Sequence, residues 1–278
     1  MFLSILVVLY AKDIDESETI QKLSEYVPDS VKLKIYNNGP NLISSKSHLL
    51  DKMKAEGWCV SLEEDLDNSP LSSIYNDFIN ENETSDFYMI LDDDSDIDLK
   101  NVITSLSPGL DLMLPIIKDK IENKVIYPEV NGLVLQHYNI KSNDELISIS
   151  SGLVLSKKII NLYKKELKFV FDERFCLYGV DTSFFRNLNI IKAKTPIKIV
   201  FYGPMFHELS RLKTGYSAFR YKERLFDAIL INRNYNNNYI HNWIVYIKVI
   251  VKCLIKKEMK WIPQMLNVII KGKHPRSR

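Results

Sequence analysis

The first hundred residues alternate between two periodicities, and that alternation limits the possible folds more than any other feature of the chain. The run "FLSILVVLY" (2–10) is continuously apolar, the form a strand takes when both faces of its sheet are covered. "VKLKIY" (31–36), "WCVSL" (58–62) and "FYMILD" (87–92) read as three further strands, each closed by turn or acidic residues. Helical stretches fall between them. One is capped by Asp15 or Ser17 and runs over about 18–26, a second opens at Ser44 or Ser45 and runs to Ala55 before Gly57, and a third covers 71–79. The order β-α-β-α-β-α-β predicts an α/β domain with parallel strands and right-handed crossovers. Ligands of such sheets bind at the carboxyl ends of the strands. Asn37, Asn38 and Gly39 lie at one such end and Asp92 to Asp94 at another, which places the two groups on one edge.

The second half is less regular. Segments 110–117, 124–130 and 146–156 read as strands of a mixed sheet, and a helix follows over 157–167. Residues 171–188 look like a loop entering a helix near Asp181, and 196–203 is a final strand. The asparagine-rich stretch 232–242 is the candidate linker, dividing a domain over 1–235 from a tail over 236–278.

Composition is that of a globular protein, with 46% hydrophobic and 26% charged residues among 278. The net charge of +2 conceals an asymmetry. Residues 241–278 hold nine Lys and Arg against the single Glu258, so the tail is strongly basic and the remainder mildly acidic. Ile240, Trp243, Ile244, Ile247, Val251 and Leu254 fall on one helical face of that tail, while Lys248, Lys252 and Lys256 recur every fourth residue on another. The lysines interrupt the apolar run, which gives the form of an interfacial helix rather than a spanning one. Pro263 suits the first turn of a second helix. An anionic membrane surface is therefore the expected partner of the tail, in preference to nucleic acid. Cys59, Cys176 and Cys253 are scattered singly, and the apolar N-terminus lacks a basic n-region and a cleavage site. Both features suit a cytoplasmic setting.

The chemistry concentrates in "LDDDSDID" (91–98). Packed carboxylates repel one another and are costly to desolvate, and a divalent cation is the cheapest compensation. Side chains at i and i+2 of an extended segment point the same way, so Asp92 and Asp94 share a side and Asp93 faces the other. Oxygen ligands of this kind suit Mn²⁺ or Mg²⁺, which share their sites with substrate phosphates. An EF-hand is excluded because its sixth and twelfth positions would be Ile97 and Ile103. An aspartyl-phosphate phosphatase places its D-x-D after an early strand, whereas this is the fourth; a solvated loop capping a helix at Ser95 or Asp96 is the plain structural alternative. The first strand lacks any phosphate-cradling glycine loop, so a bound nucleotide would rely on a metal instead. Asp181, after Gly179 and Val180 at a helix start, is either a cap or a general base. His207 and Arg211 stand at i, i+4 and share a face if that segment is helical. Arg211, Lys213 and Arg220 would form a cationic segment over a diphosphate.

"NNG", "ILDDDS", "SSGLVLSKK", "YGVD" and "H..LSR" occur in an order that resembles inverting GT-A glycosyltransferases of family 2. The closest resemblance is to the rhamnosyltransferase-like enzymes of bacterial surface polysaccharides such as O-antigen or capsule. It implies a GT-A, Rossmann-like nucleotide-sugar-binding sheet flanked by helices, and a UDP- or dTDP-sugar donor. The acceptor implied is a glycan or lipid-linked glycan at the inner face of the plasma membrane. Carried over by position, Leu9, Tyr10, Asn37, Asn38, Asp92, Asp93 and Arg211 would contact the donor. Asp94 and His207 would hold Mn²⁺ or Mg²⁺, Ser151 and Gly152 would line the acceptor side, and Asp181 would be the catalytic base. The chain departs from the family pattern at Asn37, where Asp is usual, at Val180, where Glu often precedes the base, and at Tyr75-Asn76, where many members carry Arg-Asn. A sugar nucleotidyltransferase and a non-catalytic membrane or nucleic-acid binding module are the competing readings.

Overall fold

The computed structural model describes residues 1–44, 46–120, 122–135, 140–207 and 217–277. Its first half follows the alternation of the sequence: β1 (Leu3–Leu9), α1 (Glu18–Leu23), β2 (Val31–Asn37), α2 (His48–Ala55), β3 (Cys59–Glu64), α3 (Leu71–Glu81) and β4 (Phe87–Asp92). β1 pairs in parallel with β2 and β4, and β2 with β3, as the β-α-β order predicts. All seven residues of β1 are buried. Leu6 and Val8 join the core on one face of the sheet, while Leu3, Ile5, Val7 and Leu9 join the core on the other. Period-two alternation thus becomes two apolar layers, and a strand between them must be apolar throughout.

The second half adds α4 (Leu99–Ser105), β5 (Leu112–Asp119), β6 (Val125–Tyr127), β7 (Glu129–Val130), β8 (Leu133–Val134), β9 (Leu146–Ile147), β10 (Leu153–Ser156), α5 (Lys157–Leu167), α6 (Tyr178–Lys192) and β11 (Ile199–His207). Among the described residues the main sheet has eight strands, ordered β11-β5-β10-β4-β1-β2-β3 with β6 beside β5. β10 runs antiparallel to both β4 and β5, so the sheet is mixed, as the sequence suggested. Two expected strands divide, however. Pro128, which has no N–H to donate, separates β6 from β7, and the left-handed Gly152 precedes β10, so that β7, β8 and β9 form a separate small sheet.

Helix limits shift for local reasons. α1 ends at Leu23 rather than Tyr26, α2 is capped by Ser47 rather than Ser44, and α4 is capped by Asp98 rather than Ser95 or Asp96. The asparagine-rich stretch is not a long linker. α7 (Ala218–Tyr235) and α8 (Tyr239–Ile255) leave only residues 236–238 between them, and α9 (Ile262–Lys271) follows. Asn232 and Asn234 are accommodated because their amides bond back to the Ala228 and Leu230 carbonyls, four residues earlier. α8 and α9 contribute Tyr246, Val249, Cys253, Met265 and Val268 to the core beneath α7.

Gly152 has φ +82°, and a Cβ there would lie 2.6 Å from Pro115 Cγ and 2.9 Å from the Tyr202 hydroxyl. The Tyr202 hydroxyl also donates to the Gly152 carbonyl at 2.6 Å. Gly152→Ala is therefore expected to lower unfolding free energy by about 1–3 kcal/mol, combining left-handed strain with overpacking. Urea denaturation measures the loss, and an unchanged midpoint would contradict the packing.

Candidate active site

The acidic turn after β4 is built from several directions. Thr19 donates its hydroxyl to the Asp92 carbonyl (2.6 Å) and accepts from the Ser95 N–H (2.8 Å). Ser17 donates to the Asp93 carbonyl at 3.0 Å. From the other side, the Ser151 hydroxyl accepts the Asp92 N–H at 3.1 Å and lies 2.7 Å from the Ser95 hydroxyl. The end of β11 is sewn to the same turn. Asp96 N–H donates to the Phe206 carbonyl (2.9 Å) and Phe206 N–H to the Asp96 carbonyl (3.2 Å). That bridge delivers His207 between Asp92 and Asp94. Its Nδ1 lies 2.9 Å from Asp94 Oδ1 and its Nε2 3.6 Å from Asp92 Oδ2.

His207 therefore lies at the end of β11, and Arg211 and Lys213 lie outside the described residues. One ligand atom each from Asp92, Asp94 and His207 falls within 4.8 Å of the others. The buried Asp94 Oδ1 faces the imidazole at 2.9 Å and has no hydrogen-bond partner beyond it. Two carboxylates and an imidazole are a donor set that fits a divalent cation. The electrostatics agree. Burial pushes the Asp92 carboxyl up to about 7, and Asp94, Asp181 and Asp93 add repulsion that His207 opposes. Burial would also raise Asp94, but His207, Lys12 and Lys120 hold its carboxyl below the ordinary value. Burial alone would lower His207, yet Asp94 and Asp92 carry it above the ordinary imidazole value.

A cavity of about 480 Å³ opens over this cluster. Asp92, Asp93, Asp94, Asp181 and His207 all line it, together with Tyr75 and Arg224. Asp181 sits in the first turn of α6. Its Oδ1 accepts the Ser150 N–H at 3.1 Å, but burial outweighs this bonding and pushes the carboxyl up to about 6. The helix start lacks a side-chain cap of its own at Leu177. Asp227 of α7 packs closely against that first turn. Only glycine allows that approach, because a Cβ at 179 would stand 2.7 Å from Asp227 Oδ1 and 2.4 Å from Phe175 Cδ1.

The remaining residues singled out from sequence lie around the cavity without lining it. Leu9 is buried at the end of β1, and the exposed Tyr10 donates its N–H to Asp93 Oδ2 at 3.3 Å. Asn37 spends its amide on the Asn41 carbonyl and Glu64, both at 2.8 Å, while its Oδ1 accepts the Gly39 N–H. Asn38 donates to the Ser69 carbonyl, and its buried Oδ1 is left without a partner. Ser151 supports the acidic turn from beneath, and Gly152 is enclosed by packing. Asp93, which does line the cavity, pairs with Lys12 at 2.5 Å.

Several residues escaped the sequence reading. Lys12 could have been found as the first cation after β1, because the β1 and β4 ends are neighbours in this topology. Lys120 reaches the Asp94 carbonyl at 3.1 Å while pairing with Glu18, and Arg224 lies over the Tyr178 ring at 5.2 Å. Tyr75 occupies the cavity wall with its hydroxyl 3.3 Å from Ser150 Oγ, whereas Asn76 turns to the Phe171 carbonyl and Glu173. Arg276 returns from the chain's end to the Asn68 carbonyl (2.8 Å) and Glu223 (2.9 Å). Apart from that of Lys12, no local pattern announced these contacts.

No protein-family model and no curated protein matches the sequence. Solved structures are similar in shape. TarS of S. aureus matches with a TM-score of 0.56 at 13% identity, over 100% of this chain and 50% of TarS. Residues 1–349 of TarS in complex with UDP-GlcNAc match with 0.54 at 15% identity, over 100% of this chain and 83% of that one. GalNAc-T7 with UDP, GalNAc and Mn²⁺ matches with 0.57 at 11% identity, over 99% of this chain and 58% of that one. The present chain thus spans about half of TarS. At these identities the likeness establishes the fold: a mixed α/β sheet flanked by helices, of the GT-A glycosyltransferase type.

If Asp92, Asp94 and His207 hold a cation together, Asp94→Ala or His207→Ala should weaken Mn²⁺ binding by roughly 10–100-fold or more. Electron paramagnetic resonance of free Mn²⁺ during titration reads this directly. Equal affinity in either variant would remove that residue from the site.

Proposed function

We propose that this protein is an inverting glycosyltransferase that moves a sugar from a nucleotide-sugar to a hydroxyl of a growing bacterial surface glycan. The observation that carries the reading is a single cavity that gathers a two-carboxylate, one-imidazole cluster and a separate, half-buried carboxylate of raised pKa. That pairing is what transfer from a diphosphate-linked sugar needs: one group set for the leaving phosphates, another for the incoming hydroxyl. The bound UDP-GlcNAc in TarS, and UDP with Mn²⁺ in GalNAc-T7, support a UDP-sugar donor here and Mn²⁺ on Asp92, Asp94 and His207; a dTDP-sugar and Mg²⁺ rest on the sequence resemblance.

Bound there, a divalent cation supplies Lewis-acid neutralisation of the charge on the departing diphosphate. The chain's own residues do the rest. Asp181 accepts the proton of the acceptor hydroxyl while the oxygen bonds to the anomeric carbon. The bond from that carbon to the diphosphate oxygen breaks on the opposite face, and the nucleoside diphosphate leaves with its electron pair. Ser150 N–H keeps the Asp181 carboxylate oriented, and burial keeps it basic enough to take the proton. Lys12 and Lys120 hold the acidic turn in place beside the donor site. Arg224, on the cavity wall, offers a positive charge where the family's Arg-Asn pair is replaced by Tyr75-Asn76. A lipid-linked acceptor at the cytoplasmic face of the plasma membrane accords with the basic tail.

Release of nucleoside diphosphate from a panel of UDP- and dTDP-sugars, with and without Mn²⁺, tests the reaction class. Metal-independent inertness toward the whole panel would refute it, and the anomeric configuration of the product by NMR reads inversion. Asp181→Asn should retain donor binding, seen as an unchanged thermal shift, while transfer falls by roughly 10²–10⁴-fold. Undiminished turnover would dismiss Asp181 as the base. A base must be ionised, so activity should fall as pH drops through a carboxyl pKa lying between the ordinary value and about 6, a bound cation favouring its lower part. The acid limb of kcat/KM against pH measures it.

A further inference from the structure

The sequence places six apolar residues of α8 on one helical face, and a soluble helix ordinarily turns such a face inward. Here it turns outward. Ile240 is 76% exposed, Trp243 63% and Ile247 60%, and Ile244, Val251 and Leu254 are exposed with them. The face that packs against α7 is a different one, made by Asn242, Tyr246, Val249 and Cys253. The core contact is therefore satisfied without the second apolar stripe, which has no covering among the described residues. The stripe continues past α8. Ile255 is 73% exposed, Met259 64% and Ile270 of α9 73%, so the two helices present apolar side chains to the same solvent.

Charge decides what can cover it. Lys248, Lys252 and Lys256 run along one flank of α8, exposed, and Lys257, Lys260, Lys271 and Lys273 follow, whereas Glu258 is the sole acidic residue of 239–273. A second copy of this chain laid face to face would bring two lysine-rich flanks together, which is unfavourable. No described helix is long and apolar enough to cross a membrane, and Lys248 interrupts α8 at its middle. An apolar stripe with a tryptophan on it and lysines beside it matches a bilayer surface, where aromatic rings sit at headgroup level and lysine stems reach outward.

We infer that the outward face of α8 and α9 docks this protein on an anionic lipid bilayer. Apolar residues enter the headgroup–acyl boundary and the lysine flank meets acidic headgroups. The docking rests on the transferase reading only for its purpose, which is to bring the cavity to an acceptor carried on lipid. α7 links the two regions, since it packs against α8 on one side and supplies Asp227 to the start of α6 on the other.

The test is flotation of the full chain with phosphatidylcholine vesicles, with or without phosphatidylglycerol, at low and high salt. Binding should require the anionic lipid, weaken with salt, and shift the tryptophan emission to the blue. The double variant Trp243→Ser, Ile247→Ser alters exposed side chains only, so its melting temperature should match the parent. It should partition at least roughly tenfold more weakly, and so should Lys248→Gln, Lys252→Gln. Absence of binding at low salt overturns the inference, as does binding equal on neutral vesicles or indifferent to both double variants. A dimer by light scattering that the Trp243, Ile247 variant abolishes, without vesicle binding, makes the face a self-interface and overturns it too. Asp94→Ala should float like the parent, and the two double variants should keep donor turnover on a water-soluble acceptor. Failure of the transferase reading would thus show as loss of turnover with docking intact.

Discussion

Three successive carboxylates at the end of a buried strand are the constraint around which the rest of this structure is arranged. Left to themselves they would repel and pull the turn apart. The fold answers with hydroxyls that fix the backbone and cations that face the charge. Thr19, Ser17 and Ser151 hold the turn's main chain, and Lys12, Lys120 and His207 approach its carboxylates or carbonyls. One acceptor, Asp94 Oδ1, has no partner beyond the imidazole. Carboxylates that meet one another around a single imidazole are organised for something that carries positive charge.

The mixed order of the sheet is what turns this charged edge into a cavity. β10 enters antiparallel between β4 and β5, so the chain that leads into it brings Ser151 against the acidic turn and Ser150 to Asp181. β11 then closes on β5, and its end pairs with Asp96 to carry in His207. α6 contributes Asp181 only because Gly179 leaves room for Asp227 at its first turn. Glu223, one turn before Asp227, is in turn held by His274 and Arg276 near the end of the chain. The last residues therefore brace the wall of the cavity, while α8 just before them presents its spare apolar stripe to solvent. One segment serves packing on one side and is left open for an interface on the other.

Much of this was legible in the residues themselves. A strand apolar at every position announces burial on both faces, and the fourfold alternation fixes parallel pairing. The spacing of Asp92 and Asp94 put both carboxylates on one side of the turn, and the lysine period in α8 marked its polar flank. What could not be read were outcomes set by partners distant in sequence. Asn37 and Asn38, turn residues by type, are occupied by Asn41, Glu64 and Ser69. Asn232 and Asn234 looked like a linker, but their amides close on the preceding helical turn.

The sequence by itself determined the class of sheet, the acidic strand end and the two-faced helix near the terminus, because each is written in local period and residue type. Only the tertiary structure decided which carboxylates meet, since Asp92, Asp181 and His207 stand far apart along the chain and converge through β10, α6 and β11. It also decided which of the two apolar faces of α8 is buried. Both stripes have the helical repeat, and the choice rests with the shape of α7 against which one of them must pack.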